Sequence, residues 1–186
     1  LILLQHPHVY TLGRRGREED ILIDDQELAE YGLDVHYTDR GGEVTYHGPG
    51  QLIGYPIINL RRIKNMTPLK YVDKLQRSII SVLYQFDIRT DCEDRPTGVW
   101  VKGEKIAALG VRISDGTSSH GFALNVNTDL SYFDHIVACG MPEALATSIS
   151  AQTLSHVTVE QVTHRIANSV SNTFGLPLIW DDETLS

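Results

Sequence analysis

A glycine-rich stretch at residues 40–55, RGGEVTYHGPGQLIGY, constrains this chain more than any other part of its sequence. Five of its sixteen residues are glycine. Glycine is favoured where a backbone takes a positive φ or approaches a ligand closely, and successive backbone N–H groups can bind an anion or a carbonyl oxygen. The stretch is neither a P-loop nor a dinucleotide-binding fingerprint. It predicts either a glycine-rich hairpin or a ligand-binding loop of another kind.

The length and composition predict one globular domain. A chain of 186 residues can bury a sizeable core but is short for two domains. No apolar run is long enough to span a bilayer and no signal peptide is recognised, so no membrane partner is predicted. The two cysteines, Cys92 and Cys139, are too few for a disulfide framework. The net charge of −8 argues against nucleic-acid binding, which usually requires a basic face.

Two long helices are predicted. The first begins with Thr67 as its N-cap and Pro68 at its first helical position. The second runs from about Thr158 to Phe174, with a capping box between Thr158 and Gln161 and an end at Gly175. Apolar residues at three- and four-residue spacing predict the buried face of the first helix: Leu69, Val72, Leu75, Ile79, Val82, Leu83 and Phe86.

Several short strands are predicted around these helices. Leu1–Leu4 and Val9–Leu12 are apolar and short, and a short helix after them is expected to end at Gly32. A hairpin is predicted with its turn at Lys102–Gly103–Glu104. Strands joined by short turns beside two long helices favour an α+β fold, a single domain with a mixed β-sheet flanked by helices.

The glycine-rich stretch resembles the hallmark of the lipoyl/octanoyl-transferase family (lipoate-protein ligase B type), RGGxVTYHGPGQ followed by an apolar strand and a tyrosine. Two further motifs of that family follow in order: GEKIAALGVRI, which contains Lys105, and HGFALNVNTDL with a downstream ACG, which contains Cys139. The resemblance implies one octanoyltransferase catalytic domain over residues 1–186 with a biotin/lipoate protein ligase-like fold. Because the chain begins without Met, the N-terminal segment usual in this family is expected to be missing.

The resemblance also implies the reaction. An octanoyl group would pass from octanoyl-acyl carrier protein, through a cysteine thioester, to the lysine of apo lipoyl domains, the first step of endogenous protein lipoylation. The implied acceptors are 2-oxoacid dehydrogenase complexes and the glycine cleavage H protein. No cofactor or metal is expected, because forming an amide from a thioester is downhill. A cytoplasmic, bacterial-type location is expected, and organelle targeting stays open because the N-terminus is missing.

Two residues are expected to carry the chemistry. Pro142 and Glu143 favour a helix start just after Cys139, and a helix N-terminus or a nearby ammonium lowers the pKa of a thiol. By the family match, Cys139 is the acyl-thioester nucleophile, and Lys105 lowers the pKa of its thiol and acts as general acid and base. Lys102 is a rival for this second role but is predicted to lie in the hairpin turn.

By the family pattern, three segments line the acyl pocket. The glycines and alanines among them are expected to leave room for the acyl chain, while backbone N–H groups polarise the thioester carbonyl. Whether His47 takes a direct part or only holds the loop stays open, and His120 is predicted to be structural. The predicted pocket residues are Arg40, Gly41, Gly42, Glu43, Val44, Thr45, Tyr46, His47, Ala108, Leu109, Gly110, Gly121, Phe122 and Ala123.

Other function classes stay open. An ATP-dependent lipoate- or biotin-type protein ligase shares the fold, but lipoate ligases tend to carry an HD…GN pattern where this chain has HGPGQ. A non-catalytic lipoyl-domain binding protein would need neither Cys139 nor Lys105, and a thioester hydrolase would differ only in kinetics. Acidic partners would need a local basic patch. The clusters 14–17 and 61–64 are candidates, although each can equally be a set of solvated loop charges.

Cys139→Ala is expected to abolish octanoyl transfer and leave the fold intact, because it removes the nucleophile but exchanges one small side chain for another. Transfer from octanoyl-acyl carrier protein and circular dichroism measure the two effects. Normal turnover by this variant would end the covalent interpretation.

Overall fold

The computed structural model describes residues 1–91, 96–137 and 145–180. Cys92, Cys139 and the helix start predicted at Pro142 lie outside these ranges. The helices in the described ranges are α1 Asp25–Glu30, α2 Pro68–Tyr84, α3 Ile149–Thr153 and α4 Val159–Phe174. The strands are β1 Ile2–Leu4, β2 Val9–Leu12, β3 Asp34–Tyr37, β4 Val44–His47, β5 Gln51–Tyr55, β6 Gly98–Val101, β7 Glu104–Ser114 and β8 Thr117–Asn125.

The described strands form two sheets. The larger sheet has the order β1-β5-β8-β7-β6 and is antiparallel throughout. The smaller sheet has the order β3-β2-β4, with β3 parallel and β4 antiparallel to β2. The predicted α+β class, with helices beside antiparallel and mixed strands, is confirmed. The one mixed sheet of the prediction is divided into two sheets, of which the smaller is mixed.

The glycine-rich stretch connects the two sheets. Strand β4 ends at His47 in the smaller sheet and β5 begins at Gln51 in the larger one, so the two strands do not pair as a hairpin. Gly50 turns the chain between them with a φ of +81°, a conformation that glycine adopts at little cost. A Cβ at Gly50 would also lie 2.8 Å from the Asn127 carbonyl oxygen. The connection is therefore possible only with glycine at this position.

Helices α2 and α4 pack on one face of the larger sheet and form the main core with it. Thr67 caps α2 by accepting a hydrogen bond from the Lys70 N–H, as predicted. Leu75 and Ile79 are fully buried in this core. The predicted buried face is wrong at Leu69, which is 84% exposed although Tyr71 in the same turn is fully buried. With about 3.6 residues per turn, Leu69 lies to one side of the face that Tyr71 and Leu75 present to the core.

Local turn and cap signals are confirmed. Thr158 and Gln161 form the predicted capping box of α4, and Gly175 ends the helix with a φ of +67°. Lys102 and Gly103 form the turn of the β6–β7 hairpin with positive φ values of 52° and 88°. No helix in the described ranges is both long and apolar enough to cross a bilayer.

A second, smaller core covers one face of the small sheet. Tyr10 and Tyr46 are fully buried in it. The Tyr46 ring stacks on Tyr132 with a centroid distance of 4.9 Å. Tyr132 belongs to a 3-10 helix at Leu130–His135. This core thus holds the 130–135 segment against the small sheet.

Replacing Leu75 with alanine is expected to lower the free energy of unfolding by ~2–5 kcal/mol, because the cavity left in the core is only partly refilled. Leu69→Ala on the same helix is the matched control and should change stability by less than ~0.5 kcal/mol. Urea unfolding of both variants measures the difference. Equal losses would contradict the burial pattern of α2.

Candidate active site

A cavity of about 300 Å³ lies between the two sheets. This volume is at the lower end of the range for ligand pockets. All three predicted segments contribute to its wall, through residues 40–45 and 47, 108–110 and 121–123. Lys105 lines the same cavity. Apart from Tyr46, the described residues that the family motifs singled out are therefore brought together around one space.

Lys105 lies at the start of β7 and is fixed by its backbone. Its N–H donates to the Leu145 carbonyl oxygen at 2.9 Å, and its own carbonyl accepts from the Thr147 N–H at 3.0 Å. Leu145 and Ala146 also line the cavity. The rival, Lys102, is exposed in the hairpin turn. Of the two lysines, Lys105 is the one at the cavity.

Tyr46, predicted as a pocket residue, lies instead in the smaller core. Its hydroxyl hydrogen-bonds to His8 Nδ1 at 2.8 Å, and its ring is fully buried against Tyr132. Successive side chains of a strand point to opposite faces, so Tyr46 faces away from the cavity that its neighbours Thr45 and His47 line. It supports the loop from behind.

The glycines of the cavity wall are required by close backbone packing. A Cβ at Gly110 would lie 2.9 Å from the Gly41 carbonyl oxygen and 3.2 Å from Arg40 Cδ. A Cβ at Gly121 would lie 2.1 Å from the Gly54 carbonyl oxygen. These residues were expected to leave room for an acyl chain. The contacts give another reason for them, which is to admit the 40–42 loop and strand β5.

Arg40 is a buried cation that fastens the glycine-rich stretch to β2. Its Nη2 donates to the Thr11 carbonyl oxygen at 2.5 Å and to Thr11 Oγ1 at 2.8 Å, and its Nε also donates to Oγ1. Its Nη1 donates to the Gly41 carbonyl oxygen. A buried charge is tolerated when it is hydrogen-bonded in this way. Arg40 therefore lines the cavity while these hydrogen bonds hold the loop.

A chain of hydrogen bonds joins the two sheets behind the cavity wall. Thr11 Oγ1 lies 3.3 Å from His47 Nε2, and His47 Nδ1 lies 2.9 Å from Gln51 Oε1. Gln51 Nε2 donates to Asn125 Oδ1 at 2.9 Å, and Asn125 Nδ2 donates to the Thr147 carbonyl oxygen at 2.9 Å. Gln51 and Asn125 are buried, so these bonds satisfy polar groups that would otherwise be costly.

The donors and acceptors along this series of hydrogen bonds determine which ring nitrogen of His47 carries the proton. Gln51 Oε1 can only accept, so His47 carries its proton on Nδ1, and Nε2 accepts from the Thr11 hydroxyl. Both ring nitrogens are then engaged. Of the two roles left open for His47, this geometry favours holding the loop. Sequence reasoning gave Gln51 and Asn125 no role, although a polar residue inside the apolar run ALNVN was a signal for a buried network.

Histidine and tyrosine side chains line another part of the cavity. His6 Nε2 hydrogen-bonds to the Tyr55 hydroxyl at 2.8 Å, and His120 Nε2 donates to Asp39 Oδ1 at 2.7 Å. His120 pairs with residue 111 of β7, six positions from Lys105 and thus about 20 Å along the strand. These side chains come from separate elements, which is why sequence reasoning missed His6 and Tyr55.

Three of the histidines that line the cavity, His6, His47 and His120, are neutral at neutral pH. Burial lowers the pKa of His47 from 6.5 to about 4, and the Arg40 charge adds to the effect. Burial also lowers the pKa of His6. The pKa of His120 is lowered first by burial and then by the charges of Arg40 and Arg112. Neutral side chains suit the wall of a cavity that holds an uncharged group.

The histidines flanking Pro7 bond to tyrosines. His6 meets the Tyr55 hydroxyl and His8 meets the Tyr46 hydroxyl. Within the described ranges, no three His, Cys, Asp or Glu side chains are grouped so that they could hold a metal ion.

Known proteins of similar sequence identify the family. The lipoyl protein ligase A/B catalytic domain model matches residues 1–171. The chain belongs to this family. It is 41% identical to an octanoyltransferase of Acidobacterium capsulatum, covering 97% of this chain and 79% of that protein. It is also 41% identical to a mitochondrial octanoyltransferase of Arabidopsis thaliana, covering 98% and 79%. These relatives confirm the resemblance and the prediction of an octanoyltransferase-type acyltransferase.

Solved structures share the fold. A bipartite lipoate protein ligase of Thermoplasma acidophilum superposes with a TM-score of 0.76 at 15% identity, over 98% of this chain and 74% of that one. A biotin protein ligase of Aquifex aeolicus, in complex with biotin and ATP, gives 0.59 at 17% identity, over 89% and 70%. At such identities the likeness concerns the fold alone, and it confirms the biotin/lipoate protein ligase-like architecture.

The lowered pKa of His47 makes stability depend on pH. Below pH 6.5 the unfolded chain binds a proton at His47 that the folded chain does not bind until about pH 4. The free energy of unfolding should therefore fall between pH 6.5 and 4, by up to about 3 kcal/mol and less where cavity water reaches the ring. An NMR titration of His47 should give a midpoint near 4.

His47→Gln is the control for this prediction, since glutamine retains a hydrogen-bonding side chain but does not titrate. The difference in unfolding free energy between wild type and variant should change between pH 6.5 and 4 and be constant above pH 7. A constant difference throughout would show that His47 titrates normally.

Proposed function

We propose that the chain transfers an octanoyl group from octanoyl-acyl carrier protein to a lysine of apo lipoyl domains through a thioester on Cys139. One observation carries the proposal. Lys105 lines the cavity, and its backbone pairs with Leu145 and Thr147, which follow Cys139 closely in the sequence. Octanoyl transfer is the activity named for the relatives from Acidobacterium and Arabidopsis.

The residues on both sides of the cysteine segment support a site at this cavity. Phe133 precedes residues 138–144, and Leu145 and Ala146 follow them. All three line the same cavity. A six-residue span from Leu145 back to Cys139 extends at most roughly 20 Å. Chain length therefore allows the proposed nucleophile to reach the cavity.

In the first half of the reaction, the Cys139 thiolate attacks the thioester carbonyl of the donor. The carbon–sulfur bond to the carrier breaks and a new thioester forms on Cys139. The departing carrier thiolate takes a proton from the Lys105 ammonium, which becomes a neutral amine. Before this transfer, the ammonium stabilises the Cys139 thiolate by its charge.

In the second half, the neutral ε-amine of the acceptor lysine attacks the acyl-Cys139 carbonyl. An amide bond forms, the bond to the sulfur breaks, and Cys139 leaves as a thiolate. The attacking nitrogen gives its extra proton to the neutral Lys105, which restores the starting ammonium. Both half-reactions balance without ATP or a metal ion.

The cavity wall suits the saturated octanoyl chain. Ile53, Phe122 and Ala123 line it with apolar side chains. Neutral His6, His47 and His120 add no charge, and Arg40 donates hydrogen bonds to Thr11 and Gly41. Burying apolar area in such a space favours binding by roughly 25 cal/mol per Å².

Arg14 and Arg15 are the part of the basic clusters that fits an acidic partner. Their backbone N–H groups donate to the carbonyl oxygens of Arg40 and Gly42, so both lie beside the cavity loop, and both are exposed. Arg15 Nη2 lies 3.6 Å from Glu43 Oε1 of that loop, whereas Arg17 is paired with carboxylates of its own segment. We propose that Arg14 and Arg15 meet the acyl carrier protein or the acceptor. Those acceptors would be lipoyl domains of 2-oxoacid dehydrogenases and the glycine cleavage H protein, in the cytoplasm.

Intact mass spectrometry tests the covalent step. Mixing the protein with octanoyl-acyl carrier protein should give one octanoyl adduct that hydroxylamine removes and an apo lipoyl domain discharges. Cys139→Ser should carry no adduct that is labile to hydroxylamine at neutral pH. Absence of an adduct in the wild type, with turnover only when ATP and free octanoate are supplied, would assign the chain to the ATP-dependent ligases.

Lys105→Ala is expected to slow alkylation of Cys139 at neutral pH, because the thiol loses the ammonium that stabilises its thiolate. Lys102→Ala, in the exposed turn three residues earlier, is the matched control and should alkylate at the wild-type rate. An unchanged pH profile for Lys105→Ala would remove this lysine from the environment of the thiolate.

A further inference from the structure

Trp100 stands directly opposite Lys105 in the β6–β7 hairpin. The turn at Lys102–Gly103 pairs Val101 with Glu104 and Trp100 with Lys105. Residues directly opposite on one face of an antiparallel pair are close enough for their side chains to interact. The register of this tight hairpin therefore brings an indole beside the lysine at the cavity.

The contact between the two side chains is close. Lys105 Nζ lies 4.7 Å from the centroid of the Trp100 ring. The indole is only 5% exposed, and its Nε1 donates to the Pro96 carbonyl oxygen at 2.9 Å. A Cβ at Gly98 would lie 3.2 Å from Trp100 Nε1 and 3.4 Å from Lys105 Cε, so glycine leaves space for both groups. The ring that Lys105 meets is thus held in one orientation.

The backbone of Lys105 is held on its other side by the hydrogen bonds to Leu145 and Thr147. With the main chain fixed by both neighbours, the freedom left to Lys105 is that of its side chain. A lysine side chain loses appreciable rotamer entropy when it is held in one place. Contact with a rigid indole limits this freedom at its outer end.

The face of the indole also attracts the positive charge of Lys105. The negative face of an aromatic ring attracts an ammonium but not a neutral amine, and tryptophan gives the strongest such attraction. Other cation–ring contacts in the described ranges, such as Lys74 with Phe174, lie away from the cavity.

We propose that Trp100 is a positioning residue for the transfer reaction, holding Lys105 Nζ at the cavity. The proposal rests on the proposed function, in which Lys105 stabilises the Cys139 thiolate and then exchanges a proton. Trp100 would act only through Lys105. Replacing Trp100 should therefore lower the fraction of Cys139 that is present as thiolate, and with it kcat. The KM for the acyl donor should stay the same.

The test is the pH profile of Cys139 alkylation, followed at the Cys139 peptide by mass spectrometry between pH 5 and 10. Trp100→Leu keeps an apolar side chain without a ring, and Trp100→Phe keeps a weaker ring face. At pH 7 the rate should fall by about 2- to 10-fold in Trp100→Leu and by less in Trp100→Phe. All rates should converge near pH 10, where the thiol is ionised without help.

Trp180→Leu is the matched control, because Trp180 contacts His164 and neither residue lines the cavity. This variant should retain the wild-type pH profile. A wild-type profile for Trp100→Leu would overturn the inference, while a slow Lys105→Ala would leave the proposed function standing. The inference would also be overturned if Trp100→Leu were alkylated as slowly, relative to wild type, at pH 10 as at pH 7. Such a result would indicate altered access to the Cys139 thiol. If Trp100→Leu does not fold, the alkylation rates of Trp100→Phe and the wild type at pH 7 and pH 10 are compared instead, and the same outcomes apply.

Discussion

The hydrogen-bond chain from Thr11 through His47, Gln51 and Asn125 to Thr147 is the interaction on which the rest of the site depends. It joins the small sheet to the large one and ends on the residue that pairs with the Lys105 backbone. Each side chain in this series donates to or accepts from the next one. Replacing any of them therefore leaves buried polar groups without a hydrogen-bond partner. The relative position of the two sheets, and with it the cavity, is set by this chain.

The cavity exists because the glycine-rich stretch leaves one sheet and enters another. The buried Arg40 fastens one end of the stretch to β2, and Gly50 turns the other end into β5. Between these points the small sheet covers the face of the large sheet that the helices leave open. The space that remains between the sheets is therefore bounded largely by uncharged side chains, with Arg40 and Glu43 at the glycine-rich loop and Lys105 at the start of β7.

Local signals in the sequence predicted local features correctly. The caps of α2 and α4 and the turn at Lys102–Gly103 depend on a few adjacent residues, so they can be derived without knowing the fold. The family motifs likewise contained most of the residues that were predicted to line the cavity and do line it. Leu69 shows the limit, because its spacing from Val72 fits the apolar face but its side chain lies to one side of that face and is exposed. The division into two sheets, the face of Tyr46 and the contact of His6 with Tyr55 depend on tertiary packing. Cys139 lies outside the described residues, so its role still depends on the motif.

The pairing of Lys105 with residues 145–147 has a consequence for how the protein is made. Those residues leave the ribosome well after β7 has been synthesised, and they complete both the edge of the sheet and the wall of the cavity. Contacts between residues so far apart in sequence form late and slowly in folding. A nascent chain that already displays its glycine-rich loop therefore lacks the surroundings of its lysine. The cavity around Lys105 is therefore complete only once residues 145–147 have joined the fold.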